Sequence, residues 1–305
     1  MPIYSVVVPV YNSEKTLEEL YDRVNKVFVG LQASYEIIFV EDCGRDQSWT
    51  VIESLKNKYP GVIKGIKLSK NFGQHNALIC GFNEVSGDYI ITMDDDLQTP
   101  PEEIPKLILK QKAENAEMVY AIYENKKHHQ VRNIGSYLIK RVFKIVFNAK
   151  PDASSFRLIS RNLTNKVIQH NQNFVFIDGL LHWHTNNIAY QVTEHHDRKH
   201  GTSNYSLFKL IQLSSNLFFN FTVIPLRIIT TVGILVSIIS FLLGVYFLVN
   251  KFYYDIPVQG YTSLVTIILF STSMMMISLG VIGEYISRIY MLQNNKPQYS
   301  IEKKI

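Results

Sequence analysis

An α/β domain built on a parallel sheet, followed by a two-helix membrane hairpin, is the fold class this sequence predicts, and three observations predict it. Short apolar runs alternate with helical segments from residue 5 to the helix that opens at 101. Two of those runs end in carboxylates. Two uncharged runs, 228–249 and 264–283, each approach the roughly 20 residues needed to cross a bilayer.

The first strand is read at 5–10, Ser5-Val6-Val7-Val8-Pro9-Val10, and Tyr11-Asn12-Ser13 turns it into a helix that Ser13 is expected to cap and that runs to about Val29. The second strand, 36–40, stops at Glu41-Asp42-Cys43-Gly44-Arg45-Asp46 before a helix over 48–58. A third strand spans 62–68, and a helix over 74–85 is entered through Lys70-Asn71-Phe72-Gly73. The fourth, Ile90-Ile91-Thr92-Met93, delivers Asp94-Asp95-Asp96 to its C-terminal end, where an open α/β sheet binds ligands. Pro101-Glu102-Glu103 then opens a helix, because Pro and acids suit a first turn. A further strand is expected at 118–121, a basic surface helix at 132–147, a loop carboxylate leading into a short strand and then a helix over 152–161, and a strand at 187–194.

Three adjacent acids repel one another, and a divalent cation relieves that repulsion; an acidic helix N-terminus is the competing explanation. Hard oxygen ligands suit Mg2+ or Mn2+, which keep water and bridge to substrate phosphates. The turn after the first strand lacks Gly-x-Gly-x-x-Gly and the chain lacks Gly-x-x-x-x-Gly-Lys-Ser/Thr, so neither a dehydrogenase cradle nor an ATPase loop is present to hold phosphate.

The 305 residues carry a formal charge of +5. Basic residues gather at Lys126-Lys127-His128-His129, Arg132 and Arg198-Lys199-His200, a distribution that fits anionic ligands and lipid headgroups rather than nucleic acid. Cys43 and Cys80 are the two cysteines, too few for a disulfide framework and compatible with a reducing cytoplasm. His195-His196 lacks further ligands at zinc spacing. Over 206–221, Leu207, Leu210, Ile211, Leu217, Phe218 and Phe221 share one helical face opposite Lys209, Gln212, Asn216 and Asn220, so an amphipathic helix in the membrane interface is expected over 206–226.

The hairpin brings both chain ends to one side of the bilayer. Arg227, Arg288, Lys296, Lys303 and Lys304 flank that side against Lys251 opposite, which assigns residues 1–205 to the cytoplasm, 227–290 to a multi-pass anchor in the inner membrane, and 291–305 to a cytoplasmic tail. Residues 1–10 do not read as a signal peptide. Glu284 and Arg288 are expected to pair as i and i+4.

Several segments together carry a resemblance. They are Val8-Pro9-Val10-Tyr11-Asn12, Asn71-Phe72-Gly73-Gln74-His75, Asp94-Asp95-Asp96-Leu97-Gln98 with Pro100-Pro101-Glu102-Glu103-Ile104-Pro105, Phe156-Arg157-Leu158, Arg198-x-x-Gly201-x-Ser203-x-Tyr205, Pro225-Leu226-Arg227, and Gly283-Glu284-Tyr285-Ile286-x-Arg288-Ile289-Tyr290. With them nearly the whole chain resembles the family 2 glycosyltransferases that load a sugar onto a polyprenyl phosphate, a group that includes dolichol-phosphate mannose synthases, O-antigen glucosyl transferases and undecaprenyl-phosphate aminoarabinose transferases.

The resemblance implies a GT-A, Rossmann-like fold, a nucleotide-sugar donor, a polyprenyl phosphate acceptor and a divalent metal. It implies that Asp94, Asp96 and Gln98 hold the metal, that Asp95 contacts nucleotide, that Pro9, Tyr11 and Asp42 surround base and ribose, and that Arg198 grips phosphate. Arg132 and Ser203 join the candidate substrate contacts. Where many relatives carry an acid before Phe156 this chain has Ser155, so Asp152 is the acceptor-side catalytic candidate beside Asp96. Asn204 stands in place of a basic residue, and Ser13 in place of Glu.

The reaction expected is attack by the acceptor phosphate on the anomeric carbon of a nucleotide sugar, with inversion and with UDP preferred over GDP-mannose. A non-catalytic scaffold that binds nucleotide sugar or lipid phosphate is the rival from another class. A processive polysaccharide synthase is disfavoured because Gln-x-x-Arg-Trp is absent. A homo-oligomer is compatible with the hairpin.

Overall fold

The computed structural model describes residues 2–123, 153–170, 175–194, 196, 222–254, 260–294 and 296–305. It divides into two compact units: Met1–Ser214 together with Asn295–Ile305, and Ser215–Asn294.

The first unit opens with β1 (Tyr4–Val10), α1 (Leu17–Gly30), β2 (Tyr35–Glu41), α2 (Ser48–Lys58), β3 (Ile63–Leu68), α3 (Gln74–Phe82) and β4 (Tyr89–Thr92). A short 3-10 turn over Pro101–Glu103 leads into α4 (Ile104–Glu114) and then β5 (Met118–Tyr123). After β6 (Ala153–Ser160) come α5 (Arg161–Val167), α6 (Ile177–His184) and β7 (Ile188–Thr193). The strands form one sheet in the order β7-β5-β6-β4-β1-β2-β3-β8, where β8 is Ile301–Lys304.

Alternation along the strands explains how both faces are covered. Val6, Val8 and Val10 of β1 face a core shared with α1, α2 and α4, while Val7 faces one shared with α3, α5 and α6. Strands buried on both faces read as continuous apolar runs, which is why β1 to β3 are legible in sequence. Parallel pairing holds β4, β1, β2 and β3 together.

The expectation of a parallel sheet is corrected beyond that core. β6 is antiparallel to both β4 and β5, and β8 is antiparallel to β3, so the sheet is mixed. Hydrophobic periodicity is the same for either direction, so the pattern alone leaves it open. Residues 291–305, read as a tail, include this eighth strand.

Ser13 does not cap α1. The helix begins at Leu17 after Thr16, with no side-chain cap, and the Ser13 hydroxyl turns instead to Asp95, 2.5 Å away. Asp95, half-buried and flanked by two further acids, is a charged acceptor, and a hydrogen bond to a charged group is worth more than one to a neutral helix amide. α5 does carry its cap: Ser160 Oγ accepts the Leu163 N–H.

The second unit contains α7 (Ile224–Tyr254) and α8 (Tyr261–Gln293), both longer than the apolar runs suggested. Their windows long and apolar enough to cross a membrane are Ile224–Tyr246 and Phe270–Gln293. Large apolar side chains are exposed along both, with Phe241 at 71% and Ile277 at 65%, the opposite of a soluble core. Glu284 and Arg288 pair at 2.5 Å as expected. The segments expected at 124–147 and 206–221 lie outside the described residues.

Candidate functional site

The chain leaves β1 towards β2 and β3, then returns to place β4 on the other side of β1. That reversal is the topological switch point, and ligands in open α/β sheets bind in the crevice beyond it. A cleft of about 270 Å3 lies there, lined by Pro9, Val10, Tyr11, Asp42, Asn71, Gly73, Gln74, Asp94, Asp95 and Asp96. The loops around it bend sharply. Asn12 (φ 56°), Cys43 (φ 53°) and Leu97 (φ 58°) adopt left-handed backbone beyond β1, β2 and β4, and Gly73 (φ 87°) does so beyond β3. Non-glycine residues pay strain for this conformation, which concentrates at functional sites.

Asp42 is 3% exposed, and its two oxygens accept the N–H groups of Phe72 (2.7 Å) and Gly73 (2.8 Å). Burial raises its pKa, and those two amides work against the rise. Asp42 therefore fixes the loop that carries Asn71 and Gly73 into the cleft wall.

The Asp triplet divides its labour. Asp94 Oδ1 accepts from Gln74 Nε2 at 2.7 Å and its Oδ2 from Ser155 Oγ at 2.5 Å. Asp95 Oδ2 accepts the Tyr11 N–H (3.0 Å) and the Ser13 hydroxyl, and the Asp95 carbonyl accepts from Thr16 Oγ1 at 2.6 Å, which ties the β4 tip to the β1 loop across the switch point. Burial pushes the Asp95 carboxyl up to about 6; the Ser13 and Tyr11 donors lower it, and the charges of Asp94 and Asp96 raise it further. Asp96 Oδ1 accepts the Gln98 N–H at 3.1 Å.

Behind Asp94 lies Arg157 of β6, 1% exposed. Its Nε donates to Thr92 Oγ1 (3.1 Å) and to the Ser155 carbonyl (3.2 Å), and its Nη1 pairs with Asp178, which also accepts from Tyr120 Oη at 2.7 Å. Burial works against the guanidinium charge, but Asp178, Tyr120 and Asp94 more than offset it, and its pKa is raised. Ser155 and Arg157 are two residues apart on one strand, so Arg157 fixes the backbone from which Ser155 reaches Asp94.

Of the predicted site residues, Pro9, Tyr11, Asp42, Asp94, Asp95 and Asp96 come together in the cleft. Gln98 is absent from its lining; its Nε2 donates to the His196 carbonyl at 3.5 Å, and its own carbonyl accepts the His196 N–H. Arg132, Asp152, Arg198 and Ser203 lie outside the described residues. Sequence reading did not single out Gln74 or Ser155 as the side chains that hold Asp94. Two signals were available: Gln74 starts a helix immediately after a loop glycine, and Ser155 stands two residues before Arg157, on the same face of one strand. Among the described residues no group of three His, Cys, Asp or Glu gathers at metal-ligand distance.

Residues 5–178 match the model of Glycosyl transferase family 2. The chain belongs to that family. Residues 224–289 match a second model, the GtrB C-terminal hairpin, which covers most of α7 and α8. This family 2 member is 32% identical to the undecaprenyl-phosphate 4-deoxy-4-formamido-L-arabinose transferase of Proteus mirabilis, over 98% of its own length and 93% of that relative. It is 31% identical to the enzyme of the same name from Shewanella sediminis, over 98% and 91%. Among solved structures it resembles glucosyl-3-phosphoglycerate synthase from Mycobacterium tuberculosis in complex with Mn2+, UDP and phosphoglyceric acid, with TM-score 0.51, 17% identity, and coverage of 72% of this chain and 76% of that one. That likeness concerns the fold, a GT-A-like mixed sheet.

Proposed function

We propose that the protein transfers a sugar from a UDP-sugar to undecaprenyl phosphate, or a closely related polyprenyl phosphate, at the cytoplasmic face of a membrane. One observation carries the reading: Asp94 and Asp96 line a cleft at the switch point of a chain that aligns almost end to end with undecaprenyl-phosphate sugar transferases. UDP is favoured because the M. tuberculosis structure of similar fold holds it with Mn2+.

Asp94 and Asp96 fit Mg2+ or Mn2+, since two carboxylates leave the remaining positions of such an ion to water and diphosphate oxygens. Bound there, the ion would act as a Lewis acid that neutralises the departing nucleoside diphosphate. Gln74 and Ser155 hold the Asp94 oxygens in place before substrate arrives, which is preorganisation by neutral donors. Pro9, Tyr11 and Asp42 wall the part of the cleft assigned to base and ribose. Asp95 braces the floor between β1 and β4.

The acceptor is a phosphate monoester, largely ionised at neutral pH, so its oxygen attacks the anomeric carbon without a strong base. The new carbon–oxygen bond forms as the bond to the diphosphate breaks, in one displacement with inversion. Serine at position 155 is consistent with a reaction that makes no demand for an acid there.

Two features favour the membrane assignment. The apolar surfaces of α7 and α8 are suited to lipid, and strand β8 follows α8 yet belongs to the same sheet as β1 to β3. If both helices cross the bilayer, the chain must leave and return on the side that holds the sheet. The flanking Arg and Lys residues make that side the cytoplasm. The test is whether purified protein with Mg2+ or Mn2+ moves radiolabelled sugar from a panel of UDP- and GDP-sugars to undecaprenyl phosphate. Binding of a nucleotide sugar with no turnover on any acceptor would favour a scaffold instead.

A further inference from the structure

Residues 298–305 return to the catalytic unit after α8 and are built into its sheet. β8 pairs with β3 through Ile66↔Lys304, Lys67↔Lys303 and Leu68↔Ile301. Gly65 and Ile305 exchange backbone hydrogen bonds in both directions (3.1 and 2.9 Å), and Ser69 donates its N–H to the Ser300 carbonyl at 2.9 Å. A Cβ on Gly65 would lie 2.8 Å from Ile305 Cγ1 and 2.7 Å from Ile52 Cγ2, so the glycine makes room for the Ile305 side chain. Side chains fasten the strand on both sides. Lys303 pairs with Glu53 (2.5 Å) and lies over the Trp49 ring, Lys304 pairs with Glu84, and Tyr299 accepts from Asn83 Nδ2 at 3.2 Å.

The position of this strand matters more than its exposed ion pairs, which contribute little individually. β3 runs directly into the loop that carries Asn71 and Gly73 to the cleft and whose Phe72 and Gly73 amides grip Asp42. The Ser69 amide is the first of that loop, and Ser300 holds it. Without β8, β3 becomes the sheet's edge and its exit loses a backbone partner. We infer that residues 298–305 are a positioning element of the donor site, which fixes the 69–73 loop and thereby sets nucleotide affinity. This rests on the reading of the cleft as a nucleotide site.

The experiment compares the full chain with a variant lacking residues 298–305, both in lipid nanodiscs with MnCl2. Expected are a Kd for UDP raised on the order of tenfold, faster amide exchange at Phe72 and Gly73, and recovery of both when a synthetic peptide of residues 296–305 is added to re-form the edge strand. Equal UDP affinity in the two proteins, or no recovery with peptide, overturns the inference. If the full chain itself binds no UDP, the nucleotide reading is what fails, and exchange at Phe72 and Gly73 still decides whether β8 braces the loop: unchanged rates overturn it. Should the shortened chain not fold, full-length Ile305→Pro removes the N–H donated to Gly65. A donor KM raised about threefold with kcat and acceptor KM unchanged supports the role, whereas unchanged donor KM contradicts it.

Discussion

The two strands that flank β1 both end in acids, and the protein uses them differently. At the β2 tip Asp42 is buried and both its oxygens are taken by backbone N–H groups of the opposite loop. At the β4 tip Asp94 is half-buried and its oxygens are held by the side chains of Gln74 and Ser155, while Asp96 faces the same cleft. Backbone partners belong to the wall and cannot leave; side-chain partners can rotate away when a cation or ligand competes. An acid at a strand tip is thus a brace or a ligand according to what donates to it. The first turn of α3 joins the two tips, because Gly73 donates to Asp42 and the next residue, Gln74, donates to Asp94.

Substitutions sharpen the distinction. Asp96→Ala is expected to lower transfer at least about 1,000-fold, roughly 4 kcal/mol of transition-state stabilisation, with a thermal midpoint within about 2 °C of the parent. Asp42→Ala should behave in the opposite sense. It orphans two amides and costs roughly 2–4 kcal/mol of stability, measurable by urea denaturation, with activity lost through a raised donor KM. A stable Asp42→Ala protein with normal donor KM, or an unfolded Asp96→Ala protein, would break the comparison.

His75 probes the helix behind both tips. Its Nδ1 has no hydrogen-bond partner among the described residues, and burial pushes the imidazole pKa down from 6.5 to about 4. As pH falls from 6.5 towards 4 the unfolded chain takes up a proton that the native state refuses, so stability declines in that window by up to about 3 kcal/mol and is flat above it. His75→Leu should remove most of this slope in denaturation curves collected between pH 7 and pH 4. An unaltered slope would mean that other groups carry the acid sensitivity.

Much of this arrangement was legible in the residues. The apolar runs of β1 to β4 and the helices between them follow from burial on both faces, and the Asp triplet pointed to the strand end that lines the cleft. Strand direction was not legible, because β6 and β8 owe their antiparallel pairing to partners distant in sequence. Nor was the fate of single polar groups. Ser13 has the residue type of a helix cap, yet its hydroxyl donates to the Asp95 carboxylate, a partner 82 residues away. Asp42 lines the cleft as a strand-tip acid should, but residue type could not show that each of its oxygens also accepts a loop amide. α7 and α8 outrun their apolar windows because helices continue through flanking Tyr, Asn and Lys that hydropathy scores as ends.

Titration calorimetry with UDP asks whether the β4 acids hold a divalent cation against the nucleotide diphosphate. Full-length protein should bind UDP at least about tenfold more tightly with Mn2+ than in EDTA, and Asp96→Ala should erase that difference while keeping the weak metal-free binding that Tyr11 and the Asp42-held loop provide. UDP affinity equal with and without Mn2+, or a full metal effect retained in Asp96→Ala, would contradict that role.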